Sequence, residues 1–186
     1  MSITIKEALH RASFLLSQAG VDSPRREAQI LLATQLGASL AWLFAHDDEE
    51  LTAKQWSAFQ DWLSRRAQGE PYAYLTGEKE FMGLPFTVTP DVLIPRPETE
   101  FLVEAVVQHF QDAAQVEILE IGPGSGAVAV SLAVSLPQAV VTAVDISLAA
   151  LAVARKNAAR HGVAERIHFL HGNLYAPVKG QAFAAV

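Results

Sequence analysis

The sequence predicts an α/β fold in which an N-terminal helical bundle is joined through a β-hairpin to a parallel sheet with helices on its faces. Three observations predict it. Residues 1 to 69 carry repeated helix start and stop signals and almost no strand pattern. From Glu70 to Pro97 the texture shifts to proline, glycine, threonine and aromatic residues, as in PYAYLTGEKEFMGLPFTVTPDVLIPRP. Beyond Pro97, apolar runs alternate with helical periodicity, the pattern of parallel strands joined by crossover helices. The domain boundaries read on this basis are 1-69, 70-97 and 98-186.

In the first segment, Thr4 and Glu7 form a capping box, Ile5, Leu9, Ala12 and Leu16 recur at helical spacing, and Gly20 supplies a left-handed stop. Ser23 is the expected cap of a second helix, with Pro24 in its first turn, Ala28, Leu31, Leu32 and Leu36 on its apolar face, and Gly37 at its end. A short helix is expected around 39 to 45. Thr52 and Gln55 repeat the capping box before a helix that carries Trp56, Phe59 and Leu63 and ends near Gly69. The aromatic residues of this bundle are expected in its core. Next, a hairpin is expected across Glu78–Phe81 and Pro85–Thr89, turning at Met82-Gly83-Leu84. A helix follows Pro97 to about Phe110. Strands are then read at 116–121, 139–145 and 166–171, and helices at 125–136 and 147–161.

Composition bounds the function. A chain of 186 residues, 51% hydrophobic, can bury a real core. A net charge of -6 argues against non-specific nucleic-acid binding, which would call for a basic surface. With no cysteine there is no disulfide framework, thiolate metal site or cysteine nucleophile. No apolar stretch reaches the roughly 18 residues of a membrane span, and MSITIKEALHRASF reads as an amphipathic helix rather than a signal peptide. The expectation is a cytoplasmic protein with no membrane contact. His168 and His171 fall three apart on a strand, which points them to opposite faces, and His10, His46, His109 and His161 read as surface residues. No metal is expected.

The chemistry concentrates in EILEIGPGSGAVAVSLA, residues 117 to 133. Gly122, Gly124 and Ala127 satisfy the dinucleotide pattern G-x-G-x-x-G/A, while Gly122, Gly124 and Gly126 satisfy the G-x-G-x-G of many methyltransferases. Asp145, ending the next strand, suits a ribose diol in either cofactor. Glu120 separates the two readings. A pyrophosphate brought to its carboxylate would meet like charge, worth roughly 4 kcal/mol at 4 Å and an effective dielectric of 20. S-adenosylmethionine instead brings an ammonium and a sulfonium. Pro123 also lacks an N–H donor for phosphate. The cofactor expected is therefore S-adenosylmethionine.

Before the sheet stands DVLIPRPETE, residues 91 to 100, and before that RRAQGEPYAYLTGEKEFMGLPFTV, Arg65 to Val88. Together these segments closely resemble the HemK/PrmC family, the glutamine methyltransferases of peptide release factors. The resemblance covers the whole chain and implies a helical bundle and β-hairpin linker leading into a class I (Rossmann-like) S-adenosylmethionine-dependent methyltransferase domain. It implies that Gly122, Pro123, Gly124, Ser125 and Gly126, with Glu120, form the methionine side of the cofactor pocket, and that Asp145 binds the ribose. Asn173 and Leu174 fall at the adenine, where the family usually has Asp and an aromatic residue. Arg96, Pro97, Glu98 and Thr99 are expected beside the substrate; the alternative is that Arg96 pairs with a carboxylate while Thr99 or Glu98 caps the helix. The family's Asn-Pro-Pro-Tyr motif would follow Val186, so no catalytic residue is expected within this chain, the sheet is expected to keep an unpaired apolar edge, and the fragment is expected to be inactive alone. The partners implied are class I peptide chain release factors, recognised in part by the bundle, with methyl transfer to the glutamine of their Gly-Gly-Gln motif and a monomer at full length. The competing readings are a nucleic-acid adenine methyltransferase and a non-catalytic module that binds cofactor or release factor.

Overall fold

The computed structural model describes residues 3–186, which divide between Thr76 and Gly77 into two compact units. In the first, β1 (Ile3–Thr4) leads into α1 (Ile5–Gln18), α2 (Pro24–Leu36), α3 (Leu40–Ala45), β2 (Glu50–Leu51), α4 (Ala53–Ala67) and α5 (Tyr72–Thr76). The two short strands pair antiparallel. Both capping boxes form: Glu7 N–H donates to Thr4 Oγ1 at 3.2 Å, and Gln55 N–H donates to Thr52 Oγ1 at 3.2 Å, with each side chain reaching back to its cap residue's N–H. Ile5, Leu16, Leu31, Leu32 and Phe59 fill the core.

Three expectations fail in this unit. Ser23 takes a left-handed φ of 52° and makes no side-chain cap, so α2 starts on Pro24 alone. The Glu70–Thr76 stretch, read as strand and turn, contains α5. There Pro71 O accepts from Tyr74 N–H and Leu75 N–H, Ala73 and Leu75 are buried, and the Tyr72 hydroxyl meets Thr34 Oγ1 at 2.8 Å. Packing against the bundle overrides the strand preference of its tyrosines. The aromatic residues also split: Phe59 is buried, whereas Phe14 and Phe44 are exposed.

The second unit opens with the hairpin of β3 (Glu78–Phe81) and β4 (Leu84–Thr87). Its turn is two residues, Met82-Gly83, rather than three. Both have positive φ, 52° and 70°, as a tight hairpin matched to strand twist requires. Met82 tolerates this because its N–H donates to Glu100 Oε1 at 2.8 Å. After a 3-10 turn at Pro97–Thr99 come α6 (Glu100–Phe110), β5 (Val116–Ile121), α7 (Ala127–Ser135), β6 (Ala139–Asp145), α8 (Leu148–Arg160) and β7 (Ile167–His171). The strands pair in parallel in the order β5-β6-β7.

β6 is central and covered on both faces, which is why it reads as a continuous apolar run. The outer edge of β5, expected to be unpaired, takes a parallel bridge between Ile118 and Ala185, with Leu119 N–H donating to Ala185 O at 2.9 Å. The chain thus adds β6 and β7 on one side of β5 and returns to the other. This reversal of strand order opens a crevice at the carboxyl end of β5, where open α/β sheets bind ligands.

Gly126 holds α7 against α8 at that crevice. Its φ is 77°, and a Cβ placed on it would lie 3.0 Å from Ala154 Cβ. Gly126→Ala is expected to destabilise the second unit by roughly 1–3 kcal/mol, measured by chemical denaturation; wild-type stability would show that neither the backbone conformation nor the close approach is demanding.

Candidate functional site

The site is built at the end of β5, where the chain leaves the sheet through Gly122-Pro123-Gly124-Ser125-Gly126. Gly122 N–H still donates to Val144 O of β6 at 2.8 Å, and Gly126 N–H donates to Pro123 O at 2.7 Å. The φ values of Gly122, Gly124 and Gly126 are 76°, 52° and 77°, a left-handed sequence that side-chain-bearing residues would resist. Asp145, at the end of β6, fastens the loop: its Oδ2 accepts from Gly124 N–H at 3.3 Å and its Oδ1 from Ser147 N–H at 2.9 Å. The cap of α8 is instead Ser147, whose Oγ accepts from Ala150 N–H at 3.1 Å. A carboxylate offers about four acceptor positions, so Asp145 retains capacity for a diol.

A cavity of about 180 Å³ lies against this turn. Glu120, Gly122, Pro123, Gly124 and Ser125 line one side, and Leu93, Arg96, Thr99 and Phe81 line the other. The glycine turn and the I-P-R-P-E-T-E segment are thereby brought to one place. Pro97 and Glu98 are exposed and lie outside the lining. Arg96 has no ion-pair partner among the described residues, and neither Thr99 nor Glu98 makes a side-chain cap, so the alternative reading of that segment is not what the structure contains. Glu100, the last residue of the segment, holds the hairpin turn by accepting from Met82 N–H.

Glu120 is the unusual group. Its residue keeps some exposure, yet Oε2 is buried and has no hydrogen-bond partner. Burial pushes its pKa up to about 7, the Ala129 backbone N–H opposes that shift, and the Asp145 charge adds to it. An unpartnered buried acceptor is costly and therefore informative. Glu120 lines the cavity, and its carboxyl group suits a ligand that carries a cation.

The segment after β7 reaches the same end of the sheet through Gly172 N–H, which donates to Asp145 O at 3.0 Å. Asn173 and Leu174 follow, both exposed, with Leu174 at a left-handed φ of 47°. Ile146, directly after Asp145, is 71% exposed, and Tyr175 is exposed as well. Sequence reasoning missed Ile146, although an apolar residue just beyond an acidic strand end was a usable signal. It also missed the fully buried Asn157. Of the histidines, His161 is half-buried and sits 2.9 Å from Pro85 O, and His171 Nε2 lies 3.1 Å from Ile146 O. Among the described residues no group of three or more potential ligands could hold a metal, and no helix is long and apolar enough to cross a membrane.

A parallel sheet reversing at β5, a glycine turn at its carboxyl end and an acidic residue closing the next strand lie together in residues 98–186, the segment that the methyltransferase small domain model matches. The PrmC N-terminal domain model matches residues 7–77. Together the two models match most of the chain, in the same order as the helical unit and the sheet. The chain is 48% identical over 167 residues to a release factor glutamine methyltransferase of Bordetella pertussis, covering 90% of this chain and 60% of that protein. A second, from Moorella thermoacetica, is 45% identical over 178 residues, 96% of this chain and 63% of that protein. The chain thus spans about three fifths of the length of these relatives. Among solved structures it is similar to an S-adenosylmethionine-dependent methyltransferase from Geobacter sulfurreducens in complex with S-adenosyl-L-homocysteine, at 25% identity and a TM-score of 0.40 over 47% of this chain and 34% of that one, a likeness too partial to bear on the ligand.

The state of Glu120 has a consequence for stability. Its folded pKa of about 7 lies above the ordinary 4.5, so the folded chain holds the proton more tightly than the unfolded one. That contribution is complete below pH 4.5 and is lost as pH rises through 7, amounting to at most about 3 kcal/mol. In the ligand-free protein Glu120→Gln should gain stability relative to wild type between pH 5 and pH 8, followed by denaturant unfolding. A pH-independent difference would place the carboxylate in water.

Proposed function

We propose that this chain is the cofactor-binding part of a methyltransferase that moves a methyl group from S-adenosylmethionine to the side-chain amide of the glutamine in the Gly-Gly-Gln motif of peptide chain release factors. The observation that carries the cofactor is Glu120, which lines the cavity at the strand reversal and whose Oε2 is buried with no hydrogen-bond partner among the described residues. S-adenosylmethionine supplies, when bound, a sulfonium-activated methyl group. Glu120 would hold its ammonium, and Arg96, lining the same cavity without an ion-pair partner among the described residues, offers the complementary charge for its carboxylate. Asp145 would hold the ribose with the acceptor capacity left over from Gly124 and Ser147. Asn173, Leu174 and Ile146 would flank the adenine. A dinucleotide fits less well, because its pyrophosphate would lie against Glu120.

The names of the relatives support the acceptor. An amide nitrogen is a weak nucleophile, so transfer to glutamine depends on placing it in line with the methyl group more than on a strong base. Thr99 and Arg96, which line the cavity, are proposed to flank the substrate, with Pro97 and Glu98 exposed beside them. The helical unit is proposed to recognise the release factor, and the cytoplasm is the compartment that this substrate implies. The net charge of -6 favours this reading over an adenine methyltransferase acting on nucleic acid.

Calorimetry should show binding of S-adenosylmethionine or S-adenosylhomocysteine and none of NAD. Asp145→Ala should weaken it by the roughly 1.5–3 kcal/mol of a charge-assisted hydrogen bond; NAD binding of comparable affinity would overturn the cofactor. With the chain extended to the length of its relatives, labelled methyl should pass to a release factor and not to DNA or RNA. Transfer to nucleic acid alone would identify the acceptor wrongly assigned here.

A further inference from the structure

Asn157 lies on α8 and is fully buried, and every hydrogen-bonding position that its amide uses goes to backbone outside its own helix. Its Oδ1 accepts from Thr87 N–H at 2.8 Å and its Nδ2 donates to Thr87 O at 2.9 Å, gripping β4 as a neighbouring strand would. The second hydrogen of Nδ2 donates to Ser125 O at 2.9 Å, in the middle of the glycine turn. An amide has two donors, and here both are spent, one on the hairpin and one on the turn. Among uncharged side chains only an amide offers that combination, and asparagine is the shorter of the two.

The neighbouring turns of α8 reinforce this seat. Ala154, one turn earlier, closes against Gly126, where an added Cβ would lie 3.0 Å away. His161, one turn later, meets Pro85 O at 2.9 Å and packs its ring on Phe86 at 5.1 Å. Arg160 pairs with Glu78 at 2.7 Å. One face of α8 thus carries the hairpin at one end and the glycine turn at the other. The hairpin contributes Phe81 to the cavity and the turn contributes Ser125.

We propose that Asn157 is a positioning residue for the cavity, locking the β3–β4 hairpin and the glycine turn into one unit so that neither wall moves without the other. It touches neither ligand nor reacting atom. Without it, Ser125 O, in a residue only 3% exposed, loses its partner, and the turn must shift to find another. The loss would be felt in the shape of the cavity beyond any loss of overall stability.

The first test needs no ligand. In the wild-type chain, amide hydrogen exchange followed by NMR should show Thr87 and Gly126 opening together, with protection within about threefold of each other and below that of Val141 in β6. Protection differing by tenfold or more would mean that hairpin and turn open separately and would overturn the proposal.

The second test rests on the methyl-donor reading and uses S-adenosylhomocysteine as probe. Asn157→Leu, titrated at a temperature where circular dichroism shows it folded, should raise Kd about tenfold or more. Val163→Ala, which trims the core without touching the turn, should leave Kd within about twofold. An unchanged Kd in Asn157→Leu, with the wild type binding, would overturn the proposal. A wild type that fails to bind would instead remove the methyl-donor reading, and the exchange measurement would still decide the role of Asn157, as it would if the variant did not fold.

Discussion

A carboxyl group at the end of a buried parallel strand, with one oxygen out of reach of water and of every donor, sets the terms for the rest of the second unit. Glu120 occupies that position. The strand cannot simply expose it, because β5 is held by β6 on one side and bridged to Ala185 on the other. Nor does the start of α7 fully satisfy it, since the Ala129 N–H offsets only part of the desolvation. The group is left with its pKa raised to about 7, on a residue that lines a cavity. A chain selected for stability alone would place a glutamine or an apolar residue there. Its retention makes physical sense when a cation completes the site, which ties the energetics of the fold to the choice of ligand.

The surrounding devices keep that cavity in one shape. Three left-handed glycines turn the chain sharply enough for backbone to form the wall, and Asp145 and Asn157 hold the turn from two sides through Gly124 N–H and Ser125 O. The opposite wall comes from the segment between hairpin and α6, whose start is anchored by the Glu100 to Met82 bond. Each tie joins elements far apart in sequence. The preorganisation they provide matters most for a reaction whose acceptor is a poor nucleophile, because placement then supplies much of the rate.

Much of this architecture was legible in the sequence. The 139–145 strand was bounded correctly because its shortness, its β-branched residues and the flanking turn signals together favour a buried strand over a buried helix. Both capping boxes were readable because their chemistry is local. Other features were not. α5 was hidden because PYAYLTG has the composition of a strand and becomes helical only by burying Ala73 and Leu75. Phe14 and Phe44 looked like core residues but lie on the exposed side of their helices. Within the site, Glu120 and the glycine turn were visible through their spacing, whereas Asn157 was invisible: its partners lie 70 and 32 residues away, and an asparagine in the middle of a helix gives no sign of them.

The central claim is that the Glu120 carboxyl is half-desolvated when alone and ionised by a cationic ligand. NMR titration of its side-chain carboxyl carbon, with and without saturating S-adenosylhomocysteine, tests this most directly. The account predicts a midpoint near pH 7 in the free protein and a fall of one pH unit or more, about 1.4 kcal/mol, when the ligand's ammonium is present. An ordinary carboxylate midpoint in the free protein, or a midpoint that does not move on binding, would contradict it.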